Sequence, residues 1–193
     1  GNYGVSVGAS NITVGGAAPA ARNVIAGAGF AAIGMSGPFN TIVRGNYIGT
    51  DATGAFDRLP AFGIYANNAN APTIGGSGAG EGNLISGAGS QSGILLQNGN
   101  APVIQGNLIG TNASGTGAIA NYSGVQCNGA AGLQVGGTTP GSGNLISGNG
   151  SAGIHISYGS STVIQGNRIG TQPDGVTSLP NAYGIVVQAP STV

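Results

Sequence analysis

Apolar residues along this chain come in short runs of three to five, alternating with small or polar residues and broken by glycine. A period of two marks strands, and no run is long enough for an amphipathic helix. Alternating segments begin at Gly4, Ala32, Gly63, Gly93, Gly124, Gly153 and Gly184, spaced 28 to 31 residues apart. Each interval holds three apolar stretches, which predicts strand, turn, strand, turn, strand. Alternation directs Val5 and Val7, Ile64 and Ala66, Ile94 and Leu96, Val125 and Cys127, Ile154 and Ile156, and Ile185 and Val187 inward. Ile12 with Val14, and Leu133 with Val135, are expected inward from the second strand.

Two motif families interleave along these intervals. Gly45-Asn46-Tyr47-Ile48-Gly49-Thr50 recurs from Gly106 and from Gly166, at spacings of 61 and 60. Arg22-Asn23-Val24-Ile25-Ala26-Gly27 recurs as Gly-Asn-Leu-Ile-Ser-Gly from Gly82 and from Gly143, at 60 and 61. A fixed period of this kind is the signature of a repeat architecture. The chain therefore divides into three two-rung units, about 4–62, 63–123 and 124–183, with a partial rung at 184–193, all within a single domain over 1–193. One rung of each unit carries a Gly-Gly insertion before its asparagine and the other carries extra residues after Gly-Thr, so loops are expected at alternate corners.

Both families share Asn-x-Ile. The isoleucines Ile25, Ile48, Ile85, Ile109, Ile146 and Ile169 are expected to stack as one buried column, about 4.8 Å apart. Each one fully buried stabilises by roughly 1.5 to 3 kcal/mol before entropy. Asn23, Asn46, Asn83, Asn107, Asn144 and Asn167 precede them. Asparagine suits a turn, and identical amides in register can form a ladder. Between the two lies an outward, mostly apolar row, Val24, Tyr47, Leu84, Leu108, Leu145 and Arg168, which needs cover from an inserted loop or from another molecule.

Through its Gly-Asn-x-Ile-Gly-Thr and Gly-Asn-x-Ile-Ser-Gly units the whole chain resembles the right-handed parallel β-helix repeat proteins of the pectate-lyase-like superfamily. The resemblance implies an all-β solenoid of about six rungs of roughly 30 residues. Related repeats occur in long secreted or surface-attached bacterial proteins, and the superfamily also holds lyases, hydrolases and esterases that act on polysaccharides. Fold alone therefore leaves function open.

Composition narrows the choice. Glycine occupies 41 of 193 positions, and only eight residues are charged, four arginines against four acids. A net charge of zero provides no footprint for nucleic acid or anionic membrane and little repulsion between copies. No apolar run approaches a membrane span, and the single cysteine, Cys127, has no intramolecular partner. The absence of an initiator methionine or leader at Gly1 points to a processed or excised chain.

Enzymes of the resembled superfamily place acids, usually with a basic residue, on one strand face of neighbouring rungs, for calcium or acid and base chemistry. The acids here are Asp51, Asp57, Glu81 and Asp174, and no such cluster is evident. Asp51, Asp57 and Arg58 form the best candidate polar site, because two acids and a guanidinium on one loop suit a sugar or cation. The competing reading is a solvated turn. Asp51 corresponds to Asn112 and Gln172, and Asp57 to Ala118 and Ser178, so neither recurs. His155 is expected at the surface and Cys127 in the core. No cofactor or transition-metal ligand set is expected. Thr50, Thr111 and Thr171 recur at one corner, but the intervening rungs break the regular array that an ice-binding face requires. Asn11, Asn112 and Asn121 lie in Asn-x-Ser/Thr sequons and are possible glycosylation sites.

The expected protein is an extracellular or cell-surface structural subunit rather than an enzyme, stacking head to tail into a fibre or filament. The segment from Asn181 to Ile185 echoes Asn2 to Val5, which would let strand ladders continue from one copy to the next. The alternatives are a polysaccharide-binding or polysaccharide-degrading module and a fragment of a large surface adhesin.

Overall fold

A computed structural model describes residues 2–57 and 61–188. Three parallel sheets run the length of the molecule. The first contains Tyr3–Val7, Ala31–Ser36, Phe62–Asn67, Ile94–Gln97, Val125–Ala131, Ala152–Ser160 and Tyr183–Val187, each strand pairing with the strand one turn away. The second runs from Thr13–Gly15 to Val163–Gln165 and the third from Val24–Ile25 to Arg168–Ile169, six strands each. Parallel pairing of every third strand is a solenoid, with turns about 30 residues apart, as the spacing predicts. Pro19–Ala21 forms one short 3-10 turn.

Register follows the repeat. Ile25, Ile48, Ile85, Ile109, Ile146 and Ile169 pair in line through the third sheet. Parallel columns run from Val5 to Ile185 in the first sheet and from Val14 to Ile164 in the second. The columns meet in a single apolar core. The marker glycines have a steric cause. A Cβ on Gly63 would lie 2.5 Å from the Gly93 oxygen and 2.8 Å from Cγ2 of Ile85, and Gly124 meets Gly153 and Ile146 in the same way. Backbone and isoleucine column leave no room there for a side chain.

Alternation predicted the inward side of the rungs it named, and Ile33 and Met35 join the same columns in the rung it did not, but it did not predict burial at the ends. Ile12 is 36% exposed, Ile185 47% and Val187 69%, whereas Leu133, Ile154 and Cys127 in the middle are sealed. A solenoid rung is covered by its neighbours above and below, so the outermost described rungs have one open face.

Loops do emerge at alternate corners. A Cβ on Gly80 would lie 2.2 Å from the Ala17 oxygen, and one on Gly141 2.3 Å from the Ser77 oxygen, so the insertions around 16–22, 76–82 and 137–143 stack on one another. Arg44 reaches across to Glu81 at 2.8 Å in a partly exposed ion pair. At the other corner the loops after Gly-Thr stack likewise, Ala113 N–H donating to the Gly54 oxygen at 3.0 Å.

These second loops cover the outward row. Leu84 and Leu145 are buried, Tyr47 and Leu108 are half-buried, and Val24 and Arg168 at the two ends are exposed. Gly54 sits against Leu84 and Tyr47, and Gly115 against Leu145, each so close that a Cβ would stand 2.8 Å from a leucine Cδ2. Intramolecular cover makes Leu108→Glu a stability variant: unfolding in urea is expected to lose about 1–2 kcal/mol, with the association state unchanged. Unchanged stability with weakened association would assign the row to contact between copies instead.

Candidate functional site: asparagine ladders and the 51–57 loop

The most organised polar feature lies inside the solenoid. Side-chain Nδ2 of Asn23, Asn46, Asn83, Asn107 and Asn144 each donates to Oδ1 of the asparagine one rung on, at 2.9, 3.1, 2.9, 2.9 and 2.8 Å. The same Oδ1 atoms accept the backbone N–H of the preceding asparagine at 3.0 to 3.2 Å. The second hydrogen of each amide from Asn46 to Asn167 goes to a carbonyl of the second sheet, such as Ile74 O from Asn107 at 2.9 Å. Donors and acceptors are thus satisfied in register, which is what permits four of these asparagines to be buried to 2% exposure or less. The expected left-handed turn conformation falls on the preceding glycines in the short-corner rungs instead, with Gly45 at φ 69° and Gly106 at 67°. Asparagines with positive φ, including Asn11, Asn40, Asn68 and Asn98, line the corner between the first and second sheets.

A second ladder was not foreseen. Asn121 Nδ2 donates to Asn149 Oδ1 at 3.0 Å, and Asn149 Nδ2 to Asn181 Oδ1 at 2.8 Å, 28 and 32 residues apart. Asn121 and Asn181 stand alike three residues before the marker glycines Gly124 and Gly184, but Asn149 stands four before Gly153, so the doubled period of about 60 residues is the signal that could have exposed it. Asn121 is fully buried with both ends of its amide bonded, so its sequon is not accessible in the folded chain. Asn11 is exposed and Asn112 partly so.

The Asp51 loop is organised around its own backbone. Asp51 Oδ1 accepts from Thr53 Oγ1 at 2.8 Å and from the N–H groups of Ala55 and Phe56 at 3.1 and 3.4 Å. Asn112 Oδ1 accepts from Ser114 Oγ, Thr116 N–H and Gly117 N–H in the equivalent loop. Asp174 bonds Thr177 Oγ1 and the Val176 and Thr177 amides, which hold its carboxyl below the ordinary range. A lowered carboxylate pKa stabilises the folded loop above the unfolded value and loses that effect as pH falls through the folded one. Asp57 bridges Thr50 through backbone and packs over Gly87; Arg58 lies outside the described residues. Because Asn112 organises its loop as Asp51 does, Asp51→Asn is expected to shift stability by no more than about 0.5 kcal/mol in thermal unfolding. A larger loss would mean that the negative charge itself matters.

Thr50 and Thr111 are fully buried and their hydroxyls donate to backbone oxygens of the next residues, so this corner presents no outward threonine array. Cys127 is sealed in the core, and burial pushes its thiol pKa up, keeping it protonated and unreactive. His155 points outward on the first sheet but is half-buried, its Nε2 enclosed without a hydrogen-bond partner. On the same face, Tyr3, Phe30, Phe62 and Tyr65 form an edge-packed aromatic cluster, with ring centroids 5.1 to 6.0 Å apart, over the space left by Gly34. Among the described residues no three His, Cys, Asp or Glu side chains converge as a metal site, and no helix is long and apolar enough to cross a membrane.

Stacked parallel sheets, isoleucine columns and internal amide ladders define a β-solenoid whose regular polar chemistry serves its own backbone. Residues 1–169 match the family described as the right handed beta helix region, and the chain belongs to that family. Comparisons with curated proteins and with solved structures return no match.

Proposed function

We propose that this β-helix is a non-catalytic structural module of the extracellular space or cell surface, a rigid rod that lengthens by stacking its end faces on those of further copies. The observation that carries it is the opening of the core columns at both ends. Ile12, Ile185 and Val187 are 36% to 69% exposed, while the same columns are buried in the central rungs. The first-rung face holds a hollow of about 660 Å³ lined by Gly4, Val5, Val14 and Ile25. An end face of this kind combines apolar columns with strand edges that accept another rung. The outermost strands match in kind, Tyr3-Gly4-Val5-Ser6-Val7 beside Tyr183-Gly184-Ile185-Val186-Val187, so a second copy supplies a similar surface. Head-to-tail contact between unlike faces propagates as an open filament. A chain with eight charges makes few contacts that salt would screen.

Electron microscopy and sedimentation test this together. Association is expected to persist at high salt and to yield rods longer than one molecule, and Val187→Asp is expected to shorten them while leaving the protein folded. Monomers at high concentration would overturn stacking between copies and leave the end faces to further rungs of a longer chain, as in a surface adhesin.

Polysaccharide binding is the second reading, favoured by the aromatic cluster and by Tyr65 OH donating to Gln97 Oε1 at 2.7 Å on the same face. Retardation in polysaccharide-containing gels that is lost in Tyr65→Ala would support it.

A further inference from the structure

We propose that Asn98 is a site of spontaneous deamidation, and that the solenoid protects the same Asn-Gly dipeptide at Asn149. Three such dipeptides occur, at Asn98-Gly99, Asn128-Gly129 and Asn149-Gly150. The reaction is an intramolecular ring closure. The glycine amide nitrogen bonds to the asparagine Cγ and gives up its proton, and the Cγ–Nδ2 bond breaks to release ammonia. Water then opens the succinimide at either carbonyl to leave aspartate or isoaspartate. No oxidant or catalyst is needed, so the rate depends on whether the nucleophilic N–H and the departing amide are already engaged.

At Asn98 both are available. The residue is exposed at the corner after Ile94–Gln97, with φ 58°, and its side-chain amide makes no hydrogen bond among the described residues. The Gly99 N–H donates none either, and glycine at φ 89° adds no side chain to hinder ring closure. At Asn149 both are held. The Gly150 N–H donates to the Asn121 oxygen at 2.9 Å, and Asn149 Nδ2 donates to Asn181 Oδ1 at 2.8 Å. Asn149 Oδ1 accepts from Asn121, and the residue is 3% exposed. Asn128 is intermediate, half-buried with a 3.3 Å bond from Gln126. Ring closure at Asn149 requires the ladder to open first, which the end of a solenoid permits more readily than its interior. Conversion at Asn98 takes the formal net charge from zero to minus one, a large relative change on so charge-poor a surface.

Peptide mapping by mass spectrometry after incubation at mildly alkaline pH tests the assignment, with the same protein unfolded in denaturant as control. In the folded protein Asn98 is expected to convert to aspartate and isoaspartate roughly a hundredfold faster than Asn149, because local opening limits the latter. In denaturant the two are expected to convert at similar rates. The acidic species that accumulates on ion exchange should be absent from Asn98→Gln. Equal rates at the two sites in the folded protein, or an intact Asn98 there when the unfolded control has converted, would overturn the proposal.

Discussion

Asn107→Ala is expected to destabilise the protein by about 3 kcal/mol, since removing one member of a buried hydrogen-bond network leaves its partners unsatisfied at roughly 1–3 kcal/mol each. Asn107 gives Nδ2 to Ile74 O and to Asn144 Oδ1, and its Oδ1 receives both the backbone N–H and the side-chain amide of Asn83. Alanine fills none of these roles, and no solvent reaches the gap, since Asn83, Asn107 and Asn144 are each at most 2% exposed. Asn23→Ala, in the exposed outermost rung, is expected to cost about 1 kcal/mol. Urea unfolding of the two variants checks the difference. Equal small losses would mean that the ladder is replaceable by water and that packing alone sets the register.

Ile109→Ala is expected to cost about 3–4 kcal/mol, within the range for truncating a sealed core isoleucine. Ile109 is fully buried between Ile85 and Ile146, so the cavity has rigid walls on both sides. Ile169→Ala at the end of the column, where Ile169 is only partly buried, is expected to cost about 1 kcal/mol and to be lessened further if another rung does not cover it. Chemical denaturation with a constant m-value would measure both. A uniform cost along the column would contradict a core that is closed in the middle and open at the ends.

Much of the fold was legible because a solenoid converts sequence period into spatial register. The Asn-x-Ile motif placed both the isoleucine column and the first amide ladder, and alternation placed Val125, Ile154 and their neighbours inward. Polar residues outside the motif were harder to place. Asn121 reads as a glycosylation sequon from its own neighbours, yet it is buried in a second ladder with Asn149 and Asn181. Asp51, Asp57 and Arg58 read as a potential site, yet Asp51 holds its own loop, as Asn112 does in the next unit. Local sequence does not say whether a polar side chain has a partner one turn away, because that partner lies 23 to 40 residues off along the chain.

The sequence by itself determined the rung length, the alternation of loop corners and which residues form the columns, since each depends on period and on the two faces of a strand. Tertiary structure decided what covers what. The outward row is buried by loops from its own molecule, with Gly54 lying against Leu84 and Gly115 against Leu145, because loops two rungs apart stack and fold back over the third sheet. It also decided which of three identical Asn-Gly dipeptides is locked, since the Gly150 N–H is tied to the Asn121 oxygen across one turn and Asn149 is buried, while Asn98 is exposed. Both outcomes depend on contacts between successive turns, and such contacts exist only once the chain has wound.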